Sequence, residues 1–127
     1  MISGKKIFIT GGAGFIGSTL VGRLVGQNQV VVYDNFSRDA LKDKSYRNHP
    51  NLKIVKGDVL DFDSLRGAMQ GSNIVVHCAA IAGIDTVIKR PVSTMRVNMI
   101  GSANTSSRNT VPRKATFLPL APAAFLI

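Results

Sequence analysis

Apolar residues in this chain come in short runs separated by stretches with helical spacing. Ile7-Phe8-Ile9, Val30-Val31-Val32-Tyr33, Leu52-Lys53-Ile54-Val55 and Ile74-Val75-Val76 are rich in β-branched and aromatic side chains. Three of the four are unbroken, as strands buried on both faces of a sheet require. They predict strands over residues 5–10, 29–34, 52–56 and 73–77. Between the first two runs, Phe15, Ile16, Leu20, Val21, Leu24 and Val25 recur at helical spacing and predict a helix over 14–26. Residues 61–69 read as another helix, with Asp61 as N-cap and Gly71-Ser72 closing it. Residues 39–46 form a short, highly charged helix candidate stopped by Asn48-His49-Pro50. Residues 79–86 read as a loop, and residues 93–104 as a helix started by the fixed φ of Pro91. Strands alternating with helices imply right-handed crossovers and a parallel sheet with strand order 3-2-1-4.

The pattern breaks at residue 106. The remaining text ends in Phe117-Leu118-Pro119-Leu120-Ala121-Pro122 and a further apolar stretch. A proline in a central strand deletes a ladder bond, so a fifth strand around residues 115–118 is doubtful. Residues 1–105 therefore read as one folded unit, and 106–127 as an atypical tail. That tail is either the product of a shifted reading frame or truncation, or a genuine end of the chain that serves interaction or stays disordered.

One segment carries chemistry. Thr10-Gly11-Gly12-Ala13-Gly14-Phe15-Ile16-Gly17 follows the first strand run directly and opens the first helix. Gly11, Gly14 and Gly17 are spaced G-x-x-G-x-x-G, where the first permits a tight turn. The second lets the backbone approach a pyrophosphate, and the third lets helix and strand pack closely. The helix that follows aims free N–H groups and a partial positive charge at the bound anion. The second strand ends in Asp34, about 20 residues on, where an acidic side chain takes ribose hydroxyls. The alternative for Asp34 is a solvated turn aspartate.

At 127 residues the chain is one domain in length and can bury a real core. No segment approaches the ~18 consecutive apolar residues of a membrane helix, and the N-terminus runs straight into the first strand without a signal peptide, so the expected location is cytoplasmic. The single Cys78 excludes an internal disulfide and reads as a buried thiol rather than a nucleophile. With no third ligand beside His49 and His77, no metal site is expected. The net charge of +9 suits an anionic partner such as a pyrophosphate. Nucleic acid is disfavoured, because the basic residues are scattered and not interleaved with aromatics.

These residues resemble the extended short-chain dehydrogenases, specifically the NAD-dependent epimerase/dehydratase family that acts on nucleotide sugars. The matching text is Gly11-Gly-Ala-Gly-Phe-Ile-Gly17, Tyr33-Asp34-Asn35, Gly57-Asp58-Val59, His77-Cys78-Ala79-Ala80 and Val97-Asn98-Met99-Ile100-Gly101, in order over residues 5–105. The resemblance implies an α/β fold with a Rossmann-like, doubly wound parallel sheet and NAD as cofactor. It implies that the backbone around Phe15 and Ile16 meets the pyrophosphate and that Asp34 and Asn35 face the adenosine ribose. Asp58 and Val59 would flank the adenine, and Ala79 and Ala80 would line the nicotinamide side. Asn98 matches an asparagine with structural and proton-relay roles; a helix amide bonded to nearby backbone reads equally well, and for Asp58 so does plain turn chemistry.

The departures matter as much. That family's chemistry needs a Ser or Thr after the fifth strand and a Tyr-x-x-x-Lys, whose lysine lowers the tyrosine pKa for proton transfer. The two tyrosines here are Tyr33 and Tyr46, and neither is followed by a lysine four residues on. The expectation is therefore the N-terminal, NAD-binding portion of a nucleotide-sugar epimerase/dehydratase-like protein, without catalytic residues of its own. A nucleotide sugar would bind only if the missing residues were supplied. The alternative is a non-catalytic nucleotide-binding or partner-binding module, and the apolar tail makes a homo-oligomer conceivable.

Overall fold

The computed structural model describes residues 1–120. Its strands are β1 (Lys6–Thr10), β2 (Gln29–Asp34), β3 (Leu52–Lys56), β4 (Ile74–His77) and β5 (Thr116–Pro119). They form one sheet in the order β3-β2-β1-β4-β5, with every neighbouring pair parallel. The helices are α1 (Phe15–Leu24), α2 (Phe62–Met69), α3 (Ile84–Lys89), α4 (Pro91–Met95) and α5 (Ser102–Ser106), with a π-helical segment over Arg96–Gly101 joining the last two.

Side-chain alternation along the central strands builds two cores. Ile7, Ile9, Val30, Val32 and Val76 face one layer, where Val21 and Val25 from α1 and its C-terminal end meet them together with Leu41. Phe8, Val31, Tyr33 and Val75 face the other, against Leu65 and Met69 of α2. Burial on both faces is why β1 and β2 read as unbroken apolar runs. The Phe8 and Tyr33 rings pack at 5.7 Å with a tilt of 37°. Asp61 caps α2 as expected, accepting the Ser64 N–H at 3.1 Å.

Three details differ from the sequence reading. Residues 39–46 form turns instead of a helix. Their main-chain bonds, Lys44 N–H to Leu41 O and Arg47 N–H to Lys44 O, span three residues. Asp39 diverts its carboxylate to the Leu41 N–H, a local bond that competes with helix formation. The loop assigned to 79–86 is shorter, because α3 begins at Ile84, and the helical run starts at Pro91 and continues through a π turn to Ser106.

The fifth strand, doubtful from sequence, is present. Thr116 and Leu120 donate their N–H groups to Asn73 O and His77 O of the β4 segment, so the main-chain nitrogens of the alternate residues Phe117 and Pro119 point to the side away from β4. The missing N–H of Pro119 therefore removes no ladder bond, which is the position where an edge strand tolerates proline. This strand comes from the 106–127 segment; the part of the apolar tail at 121–127 lies outside the described residues.

Candidate functional site

The glycine-rich turn sits at the C-terminal ends of β1, β2 and β4. Gly11 has φ of 69°, a left-handed conformation that disfavours any side chain. Its N–H reaches Tyr33 O at 2.9 Å, and a Cβ there would lie 2.5 Å from Ala79 N. A Cβ on Gly17 would lie 2.2 Å from Gly11 O, so α1 approaches the turn as closely as only glycine allows. Gly14 is different. A Cβ there meets only Gly11 O, at 3.2 Å, and the rest of its surroundings is open.

That open space faces the start of α1. Gly14 caps the helix without a side chain, and no acidic residue lies in the first turn. The first-turn N–H groups thus have neither an intrahelical acceptor nor a capping oxygen, an arrangement suited to an anion. Phe15 and Ile16 stand 86% and 56% exposed beside it, apolar surface that a bound molecule would cover.

Asp34, the last residue of β2, is fastened to the same turn. Its Oδ2 accepts the Ala13 N–H and its Oδ1 the Phe36 N–H, both at 2.9 Å. It is not a freely solvated turn aspartate. Burial pushes its pKa up, opposed by the N–H donors of Phe36, Ala13 and Asn35. Each carboxylate oxygen keeps acceptor capacity for a hydroxyl. Phe36 follows at φ 59°, and Asn35 accepts the Ser37 N–H at 3.0 Å, so this bend is held by two successive side-chain turns.

Asp58 and Val59 follow β3. The Asp58 side chain is exposed and accepts the Leu60 N–H at 2.9 Å, while its carbonyl accepts the Tyr33 hydroxyl at 3.0 Å. Val59 is buried under the π-helical segment, with Asn104 Nδ2 donating to its carbonyl at 3.0 Å. On the far side of the turn, the Ala79 N–H reaches Thr10 Oγ1 at 3.3 Å. Asn98 is buried, and both halves of its amide bond Ile81: Oδ1 accepts the Ile81 N–H at 2.9 Å and Nδ2 donates to Ile81 O at 3.0 Å. Its amide thus clamps the loop after β4, and Ala80 lies between the two fastened residues.

The structure brings Gly11, Gly14, Phe15, Ile16, Gly17, Asp34, Asn35, Ala79 and Ala80 to one end of the sheet, with Asp58 and Val59 following the neighbouring strand and Asn98 behind the loop. Sequence reading missed Thr10 and Ala13, which connect these pieces. Thr10 was signalled only by being polar at the end of an apolar strand. Cys78 next to the site is half-buried, and burial pushes its thiol up to about 11, which disfavours the thiolate. His49 is backbone-adjacent, its Nδ1 accepting the Asn51 N–H. No group of three or more metal-ligating side chains is found among the described residues. Two surface depressions of about 290 and 350 Å³ lie at the opposite end of the sheet, around Lys6, Gln29 and Asn51. They are open and shallow, and the amides of Asn28, Asn51 and Asn73 there are already bonded to main chain. The glycine end is the chemically prepared one.

The model of the NAD-dependent epimerase/dehydratase family matches residues 7–107. The chain belongs to this family. It is 34% identical over 113 residues to UDP-glucose 4-epimerase of Rickettsia rickettsii (strain Sheila Smith), covering 84% of this chain and 33% of that protein. Among solved family structures, it resembles UDP-N-acetylglucosamine 4-epimerase from Methanobrevibacter ruminantium M1, in complex with UDP-N-acetylmuramic acid. That match has a TM-score of 0.78 and 27% identity, and covers 98% of this chain and 47% of that one. UDP-glucose 4-epimerase from Brucella ovis, in complex with NAD, matches with a TM-score of 0.67 and 32% identity, over 80% of this chain and 30% of that one. The chain spans about a third of the length of the curated relatives it matches.

Proposed function

We propose that this chain is the NAD-binding portion of a nucleotide-sugar epimerase/dehydratase-like protein and is not catalytic on its own. The observation that carries the reading is the Asp34–Ala13 bond, which ties a ribose-facing carboxylate to an uncapped glycine-rich helix start. In this reading the first-turn N–H groups around Phe15 and Ile16 hold the pyrophosphate, with Gly14 as the open approach. Asp34 and Asn35 take the adenosine ribose, Asp58 and Val59 the adenine, and Ala79 and Ala80 the nicotinamide side, with Asn98 holding that loop. When bound, NAD would supply a hydride acceptor for transient oxidation of a sugar hydroxyl.

The two tyrosines support the non-catalytic part of this reading. The Tyr33 hydroxyl bonds Asp58 O and Ser64 Oγ, the Tyr46 hydroxyl bonds Ser18 O, and burial raises both pKa values. A raised pKa runs against the lowered tyrosine pKa that the proton transfer of epimerisation needs. A second reading, a partner-binding module, draws on the exposed apolar residues Ile84, Ile88, Val92, Met95 and Met99 along α3, α4 and the π turn, which a second copy would cover. A cytoplasmic location belongs to the same proposal. The free Cys78 suits a reducing compartment, and no helix among the described residues is long and apolar enough to cross a membrane.

Calorimetric titration with NAD, and with duplex DNA at two salt concentrations, tests the reading. NAD should bind weakly and with little salt dependence, a UDP-sugar should not be turned over, and DNA affinity, if any, should collapse with salt. Epimerisation of a UDP-sugar by the purified chain would overturn the non-catalytic part, and salt-resistant DNA binding without NAD binding would overturn the rest.

A further inference from the structure

Two buried polar side chains, Thr10 and His77, and the half-buried Ser102 meet where β1, β4 and the helical run beginning at Pro91 come together, and their hydrogen bonds close in one direction. Ser102 Oγ lies 2.5 Å from the main-chain oxygen of Asn98. A carbonyl only accepts, so the single Ser102 hydroxyl proton is committed there. His77 Nε2, 3.0 Å from the same Oγ, must then donate. A neutral ring protonated at Nε2 leaves Nδ1 as an acceptor, and it receives the Thr10 hydroxyl at 2.6 Å. Thr10 Oγ1 in turn accepts the main-chain N–H of Ala79. A charged imidazole would direct a second N–H at Thr10 Oγ1 and strand the threonine proton in a fully buried place. Consistently, burial pushes the His77 pKa down to about 4.

One end of this chain of bonds falls on the segment after β4, and the other on a residue that grips the same segment. Ala79, at the first end, has the backbone that would meet a Cβ on Gly11. Asn98, whose carbonyl closes the other end, grips Ile81 with both halves of its side-chain amide. Residues 79–81 are therefore held at one terminus by Thr10 and at the other by Asn98, and His77, with Ser102, links these two holders to each other. A histidine serving only to fill the core would not need its two nitrogens matched to two hydroxyls, one bonded to Ala79 and the other to Asn98, the residue that grips Ile81.

We propose that His77 is a positioning residue: held as the neutral Nε2–H tautomer between Thr10 and Ser102, it fixes residues 79–81 against the glycine turn and so sets the affinity for the nicotinamide half of NAD. This rests on the cofactor reading above. The test uses the full 127-residue chain, titrated with NAD and with ADP-ribose, which lacks the nicotinamide, and followed by NMR in the wild type, Thr10→Val, Thr10→Ser and Ser102→Ala. Thr10→Val should weaken NAD by about tenfold, the effect of one buried hydrogen bond, while ADP-ribose changes less than about twofold. Thr10→Ser should restore NAD affinity, and hydrogen exchange at the Ala79 amide should quicken in Thr10→Val and Ser102→Ala alone. Imidazole nitrogen shifts should show the proton on Nε2. NAD binding indifferent to Thr10→Val, an equal loss for both ligands, or a proton on Nδ1 would overturn this proposal alone. No binding of either ligand by the wild type would overturn the cofactor reading and this proposal with it.

Discussion

Asp34 should make the chain prefer NAD to NADP, and the size of the preference follows from how the carboxylate is held. In the cofactor reading it faces the adenosine ribose, where NADP carries its extra phosphate. Two unit charges ~4 Å apart repel by about 4 kcal/mol at an effective dielectric of 20. A free side chain would swing away, but Asp34 is fixed by N–H groups of Ala13 and Phe36 on its two oxygens. Solvent and movement of the ligand should still leave about 1–3 kcal/mol, or roughly 5- to 150-fold in affinity. Calorimetry with the two cofactors at neutral pH measures this directly. Because burial raises the Asp34 pKa, the carboxylate loses its charge earlier than an ordinary aspartate as pH falls, and the preference should fade with it. Asp34→Asn should narrow the gap, while placing an NH₂ against one of the two N–H donors costs about 1–3 kcal/mol of stability. Equal affinities for NAD and NADP in the wild type would refute the assignment of Asp34.

Gly17→Ala should destabilise the chain by more than about 2 kcal/mol in urea unfolding, because its Cβ would fall 2.2 Å from Gly11 O and 2.7 Å from Gly12 Cα, backbone atoms with nowhere to go. Gly14→Val should cost less stability than Gly17→Ala, since its Cβ meets only Gly11 O, at 3.2 Å, with about 1 kcal/mol more for valine at a helix N-cap, yet lose cofactor binding in the same titration. Lowering the pH should cost stability through His77. Its native pKa of about 4 lies below the unfolded value of 6.5, so the unfolded chain takes up the proton first. The loss begins as pH falls through the unfolded value and is complete below the folded one, amounting to about 3 kcal/mol. His77→Gln should flatten that part of the pH–stability curve.

The sheet was legible because its strands are buried on both faces, which leaves unbroken apolar runs, and because the glycine turn and Asp34 stand at a diagnostic interval. What escaped was set by contacts distant in sequence. The charged text of 39–46 has helical composition but takes its shape from Asx turns and from two anchors, Leu41 in the core and Tyr46 on Ser18. The prolines near residue 120 argue against a strand until the direction of each N–H is known. Then Pro119 falls on the open side, and β5 forms at no cost to the ladder. Asn98 was visible as a candidate but its partner was not, because Ile81 lies 17 residues away. The π-helical turn carrying Asn98 has no sequence signature at all.

If the cofactor reading holds, the glycine end of the sheet receives NAD in this chain as it stands. An NMR titration of the labelled 127-residue chain with NAD tests it most directly, because it tolerates weak binding and reports position. Saturable shifts should appear at the amides of Gly11, Ala13, Gly14, Phe15, Ile16 and Phe36, and be absent in Gly14→Val. Shifts confined to the opposite end, around Lys6, Asn28 and Asn51, or no saturable shifts at all, would contradict it.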